Sequence, residues 1–363
     1  MTTEGSPLPS PADRPFVSVL MPIREEARHL QRSLGSVLAQ DYPADRLEVL
    51  VADGMSQDGT RDIVASLAAG RGNVRLLDNP RGIVATGLNA AIAEARGEIF
   101  VRVDGHCEIE PDYVRRCVDH LVAGRAEGVG GPLDTVGETR VARAIALAMS
   151  SRFGVGGSPF RTLRDQTCLV DTVAFPAYRR DVVERAGPFD EELVRNQDDE
   201  YNYRLRKLGA RILLAADVRS RYWSRSSLSS LWRQYFQYGF WKVRVMQKHP
   251  RQMRPRQFAP PAFAGALLVL VAAAPFLAAA RVALGALAGS YAVFLAIACV
   301  RLARREPGSL PVVPVALAIL HLAYGLGFLT GVARFWNRWG DPSTRAESPA
   351  ARRIERGRES PLC

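Results

Sequence analysis

Between residues 259 and 332 the chain is built mostly of Ala, Leu, Val, Phe and Gly. Charge appears there only at Arg281 and within RLARREPG, residues 301–308. A run this long and this apolar is bilayer material rather than a soluble core. Three stretches read as crossings: 259–280, 282–300 and 311–332, with Arg281 alone as the first break. The sequence ahead of them is mixed and globular in character, so the chain divides into a globular domain followed by a membrane region, 258–335.

The net charge of +11 fits a nucleic acid, a membrane surface or an anionic substrate. Placement decides. Arg233, Lys242, Arg244, Lys248, Arg251, Arg254 and Arg256 sit just before the first apolar run, where headgroups lie, and no zinc-finger or RNP-type pattern occurs. The reading is a membrane partner and no nucleic acid. The positive-inside rule puts this stretch, and the domain before it, in the cytoplasm of a multi-pass plasma-membrane protein. Three crossings then leave the basic tail, 336–363, outside against that rule, so a re-entrant or interfacial segment stays open as the alternative. Within 226–257, SSLSSLWRQYFQYGFWKVRVMQ mixes aromatics with Arg and Lys. That composition suits a helix lying in the headgroup plane, with an ordinary core helix as the other reading.

Five scattered cysteines without CxxC argue against a disulfide framework or structural zinc, and suit a reducing compartment. Residues 1–15 lack an apolar h-region and read as a disordered leader.

Over 16–225 the pattern alternates. FVSVLMP (16–22) is a buried strand; 25–40 carries apolar residues at helical spacing; LEVLVA (47–52) is a second strand. A helix over 61–69, a strand over 74–77, a helix over 85–95 and a strand over 99–103 follow. This order means right-handed crossovers and a largely parallel sheet, whose ligands bind at the strands' carboxyl ends. Pro22, Asp53 and Asp104 each lie just past such an end. Each could instead be a cap or turn residue; two acids on one sheet edge favour a site. No GxGxxG follows the first strand and no P-loop lysine pattern is present, which excludes the common dinucleotide and nucleoside-triphosphate folds. Asp198, Asp199 and Glu200 open a helix, where acids suit the macrodipole or supply a general base.

VSVLMPIREE, VLVADGMSQDGT, VRVDGHCEI, AGPFDEEL and NQDDEYNYRL occur in the order found in inverting family 2 glycosyltransferases. Over 16–242 the chain resembles that family, and with the DGH variant and the membrane tail it is most similar to ExoA-type exopolysaccharide glucosyltransferases. The resemblance implies a GT-A fold: a Rossmann-like mixed α/β sheet that binds a nucleotide-sugar, followed by C-terminal transmembrane helices. It implies a donor, UDP-glucose by preference, a lipid-linked acceptor and a divalent metal, Mn2+ or Mg2+.

Carried over residue by residue, Pro22, Ile23 and Glu25 would embrace the nucleobase, although Arg24 stands where the family commonly has Asn. Asp53 would accept from the base's imino N–H. Asp104 is the first acid of the family's DxD motif. His106 replaces its usual metal-binding acid; neutral imidazole suits manganese better than magnesium. His106 either contacts the metal or only hydrogen-bonds a phosphate. Arg81 and Asn89 could touch the nucleotide. Asp198 aligns with the family's catalytic base, and Asp199 is its rival by a one-residue slip. Gln237 and Trp241 keep the spacing of the processive enzymes' QxxRW with Phe240 in place of Arg, which points to single-sugar transfer. Trp241 would line the acceptor site or anchor the chain in the membrane. Two other readings stand beside this one: a polyprenyl-phosphate sugar transferase, and a non-catalytic membrane nucleotide-binding module.

Overall fold

The computed structural model describes residues 14–303 and 306–339. The expected leader up to residue 13, Arg304, Arg305 and the basic tail from residue 340 lie outside the described residues. The described residues form two compact units, one holding those up to Asp134 and Leu163–Trp223, the other Thr135–Thr162 and the described residues from Ser224 onward.

The strands are β1 (Val17–Ile23), β2 (Leu47–Asp53), β3 (Val74–Asp78), β4 (Ile99–Arg102), β5 (Cys107–Ile109) and β6 (Gly128–Gly131). They continue as β7 (Leu133–Val136), β8 (Cys168–Leu169), β9 (Ala174–Arg179), β10 (Ile212–Leu214) and β11 (Ser220–Trp223). In the first unit eight of them make one mixed sheet, ordered β3-β2-β1-β4-β9-β6-β10-β8. β1 runs parallel to β2 and β4, β2 parallel to β3, and β9 antiparallel to β4 and β6. Every residue of β1 and β2 is buried. Such two-sided burial explains why FVSVLMP and LEVLVA read as continuous apolar runs rather than alternating ones.

Glu48, a buried acid inside β2, is fully satisfied. Its carboxylate accepts from Ser18 Oγ at 2.6 Å, Arg96 N at 2.6 Å and Arg96 Nε at 3.0 Å. Burial opposes its charge, but these three donors outweigh burial and hold the carboxyl below its usual range.

The first helix, Leu30–Leu38, is shorter than its periodicity predicts. Residues 25–29 are drawn into a loop whose Glu25 has φ +53. The other elements predicted between residues 16 and 103 fall within a residue or two of those observed.

In the second unit three helices are long and apolar enough to cross a membrane: Pro255–Ala273, Ala278–Ala303 and Val313–Arg334. The first break falls at 274–277, not at Arg281. Pro275 cannot continue a helix, and Arg281 lies inside the next one, donating back to the carbonyl of Ala274. Residues 135–162, expected within the globular domain, cluster here instead. The small apolar face of the helix Arg140–Met149, including Ala142, Ala144, Ile145 and Ala148, is buried.

The aromatic-basic stretch forms the helix Leu228–Lys248, with Lys242, Arg244 and Lys248 all buried. It meets Val313–Arg334 along glycines. A Cβ on Gly239 would sit 2.0 Å from the carbonyl of Tyr324, and one on Gly327 2.1 Å from that of Phe236. These two backbones approach as closely as small residues permit. This is an intimate helix pair rather than a helix resting alone on headgroups.

Cys107, Cys117 and Cys299 are free thiols. Cys168 is disulfide-bonded, against the expectation of reduced cysteines.

Candidate active site

Three parallel strands end in register. Ile23 stands opposite Asp53, and Asp53 opposite Asp78. The loops that follow β1 and β2 are tied together. Glu25 N donates to Ser56 Oγ at 2.8 Å, and Gln57 N donates to Glu25 Oε1 at 3.0 Å. Glu25 and Met55 both hold positive φ, a conformation that ordinary side chains rarely adopt and that marks strained sites. Pro22 and Ile23 are buried beneath this double loop. Arg24 crosses its mouth, packing on Gly54 and donating to the carbonyl of Gly82 at 3.2 Å.

Asp53 is fully buried. Its carboxylate accepts from Ser56 N at 2.9 Å, Ser56 Oγ at 2.6 Å and Arg61 Nη1 at 3.0 Å. In this structure it organises its own loop, and Ser56 and Arg61 are the partners that sequence reading missed.

Arg81 is turned aside, forming an ion pair with Glu191. Asn89 is occupied too. Its amide donates to Glu191 and to the carbonyl of Phe189, and accepts from Phe189 N. Both residues brace the segment ahead of the helix Gln197–Lys207.

β4 delivers Asp104 and His106. Asp104 is gripped by Arg102, which donates from Nε at 2.7 Å and Nη2 at 3.0 Å to its two carboxylate oxygens. His106 Nδ1 lies 2.7 Å from Glu26 Oε1. Gly105 between them must be glycine, since a Cβ there would press to 2.8 Å from Glu26 Cγ.

Asp198 opens the helix Gln197–Lys207 from Asn196, which also holds positive φ. Its carboxylate is 43% exposed and lies 4.0 Å from Arg102 Nη1. It joins Arg102, Tyr178, Leu20, Pro176 and Phe189 in lining a small hollow. Asp199 N donates to Asp198 Oδ1 at 3.1 Å. Of the two rivals, it is Asp198 that shares the cleft with Arg102. Burial works against charge on Arg102, but Asp104 and then Asp198 outweigh it, so the guanidinium is held more firmly protonated than usual. Burial likewise pushes the Tyr178 hydroxyl up, with Tyr201 and Asp198 adding to the effect.

The donor set can be tested against a divalent ion. His106 Nδ1 meets the Glu26 carboxylate, the kind of outer partner that a metal-binding imidazole commonly has. Asp104 adds oxygen. Among the described residues no cluster of three or more His, Cys, Asp or Glu is poised for a metal. Two protein donors fit an ion that takes its remaining ligands from a diphosphate and water. Gln237 and Trp241 belong to the second unit, on the helix Leu228–Lys248. Trp241 there packs on Phe240 and Phe335.

Known proteins share this chain's sequence pattern and fold. The profile described as Glycosyl transferase family 2 matches residues 18–187. The succinoglycan biosynthesis protein ExoA of Rhizobium meliloti is 34% identical over 337 residues, covering 88% of this chain and 96% of that protein. A dolichyl N-acetyl-alpha-D-glucosaminyl phosphate 3-beta-D-2,3-diacetamido-2,3-dideoxy-beta-D-glucuronosyltransferase of Methanococcus voltae is 26% identical, covering 64% of this chain and 74% of its own. Among solved structures, the mannosyltransferase PcManGT of Pyrobaculum calidifontis, in complex with GDP-Man and Mn2+, superposes with a TM-score of 0.57 at 22% identity. That match covers 90% of this chain and 91% of the other.

Proposed function

Because the chain belongs to glycosyl transferase family 2, we propose that it is a membrane-anchored inverting enzyme. It moves one hexose from a nucleotide-sugar, UDP-glucose first among candidates, to a lipid-linked saccharide on the cytoplasmic leaflet. The observation that carries this reading is the pairing of Asp104 and Asp198 across Arg102, two carboxylates with separate tasks at one cleft. The names of the relatives support it. One is a succinoglycan biosynthesis protein and another a glycosyltransferase acting on a dolichyl-phosphate-linked sugar. The three long apolar helices support the membrane anchor.

Asp198 takes the proton of the acceptor hydroxyl as that oxygen attacks the anomeric carbon. The bond from that carbon to the diphosphate oxygen breaks on the opposite face, and the nucleoside diphosphate leaves with the electron pair. Back-side attack inverts the anomeric centre, so an α-linked donor gives a β-linked product. Asp104 and His106 would hold a divalent ion, which when bound neutralises charge developing on the leaving diphosphate. The turn at Pro22, Ile23 and Glu25, with Asp53 beneath it, receives the base.

The test is transfer of label from UDP-[14C]glucose to a bacterial lipid extract by purified membranes with Mn2+, with Asp198→Asn alongside. Label entering the lipid phase only with the native chain supports the proposal. A product cleaved by mild acid to free sugar would move the acceptor to a simple polyprenyl phosphate. Silence across UDP-sugars and GDP-mannose, with nucleotide still bound, would favour a binding module.

A further inference from the structure

Arg102 is the feature that the proposed reaction does not yet use. It sits at the last position of β4, opposite Leu20 of β1, in the centre of the sheet. Its side chain is only 10% exposed. A cation buried there is held by what it pairs with. Two of its nitrogens are spent on Asp104 in a bidentate fork, and the third faces Asp198. Only a planar guanidinium can serve two carboxylates in this way; an ammonium would be a point charge for one of them.

We infer that Arg102 is a positioning residue that holds the donor-side carboxylate Asp104 and the candidate base Asp198 on one guanidinium, and that it keeps Asp104 from taking a divalent cation until a diphosphate arrives. The inference rests on the proposed transferase reading and deepens it. The fork occupies both oxygens of Asp104 and cancels its charge. A divalent ion at Asp104 therefore meets a carboxylate already paired and a fixed positive charge. A nucleoside diphosphate brings the negative oxygens that reverse this balance. Metal and nucleotide binding become linked, each strengthening the other by the same factor. The candidate base Asp198 meanwhile lies 4.0 Å from the same guanidinium, within ion-pair reach of it.

The test titrates Mn2+ by electron paramagnetic resonance against the purified full chain in detergent, with and without UDP, for the native protein, Arg102→Met and Arg102→Lys. In the native chain UDP should tighten Mn2+ binding by about tenfold or more, and Arg102→Met should bind Mn2+ without UDP about tenfold more tightly than native, changes to a side chain that grips a metal ligand being of this size. A folded Arg102→Met that still binds UDP and shows native Mn2+ affinity overturns the inference. Should Arg102→Met not fold, Arg102→Lys decides. It keeps the charge and loses the fork, so kcat should fall at least about tenfold with the donor KM moving less than about threefold. An unchanged kcat overturns the inference. Asp198→Asn with native turnover would sink the base assignment and the Asp198 half of this inference, leaving the Mn2+ titration to judge the Asp104 half.

Discussion

His106 Nδ1 faces Glu26 Oε1 at 2.7 Å, and both side chains are 16% exposed. With Nδ1 taken up by Glu26, Nε2 is the ring nitrogen of His106 left for a ligand. Tyr222 meets the ring edge-on at 5.0 Å and limits its swing. Glu26→Gln keeps the shape but lets an amide compete for the tautomer. Metal affinity in the presence of UDP should drop by about 10- to 100-fold, the usual cost of losing such an outer partner. His106→Asp should restore a more ordinary oxygen site and shift the preference from Mn2+ toward Mg2+. Activity profiles across both ions report this, and an unchanged Mn2+/Mg2+ ratio in His106→Asp would refute metal contact by His106.

The second prediction separates Asp198 from Asp199. Loss of a general base costs about 10²- to 10⁴-fold, so Asp198→Asn should lower kcat by that much with UDP affinity unchanged by calorimetry. Asp199→Asn should lose less than about tenfold, because its own contact to Asp198 runs through the backbone N–H, which the substitution keeps. If Asp199→Asn proves the deader enzyme, the register of the motif slips by one residue.

Much of this site is visible in the sequence, and for a definite reason. Strand tips in a parallel sheet fall where apolar runs stop, so Asp53, Asp104 and the turn at Pro22 could be placed from periodicity alone. What sequence could not show is pairing between side chains. Arg102 reads as one residue of a strand, and Glu26 as one of two acids after a turn. Only the fold brings Glu26, 80 positions away in the chain, onto His106. That Glu191 meets both Arg81 and Asn89 is likewise invisible locally. The break at Pro275 follows from proline chemistry, whereas a lone charge such as Arg281 does not by itself mark a helix end. A basic residue can instead turn back to a helix-end carbonyl, as Arg281 does with Ala274.

The helix pair of the second unit gives a packing prediction. Gly239→Leu would drive a side chain into the Tyr324 carbonyl, and Gly327→Val one into that of Phe236. Overpacking of this kind costs about 1–3 kcal/mol or more, because whole backbones must part. Gly285→Ala, on the helix Ala278–Ala303, has nothing within 4 Å to meet, and should stay within about 0.5 kcal/mol of native. Unfolding midpoints of the three variants in detergent should therefore split into two low and one native-like. Equal midpoints would mean that the close backbone approach is not what holds these helices.

Glu48 supplies the pH dependence. Its carboxyl is held below the usual 4.5 in the fold because Ser18 and Arg96 donate to the charged form, against the cost of burial. A depressed carboxyl stabilises the fold fully above its unfolded value and loses that contribution as pH falls through the folded value. The loss from this group therefore begins below about pH 4.5 and deepens with acid, with no contribution to change between pH 6 and 8. Glu48→Gln replaces an acceptor oxygen with an NH2 that faces donors, so at pH 7 it should cost about 1–3 kcal/mol. The same variant removes one titrating group, so its stability should fall less steeply than native between pH 5 and 3. Urea unfolding followed by tryptophan fluorescence at each pH measures both effects. A native-like acid slope in Glu48→Gln would show that the acid sensitivity of this sheet resides in other carboxylates.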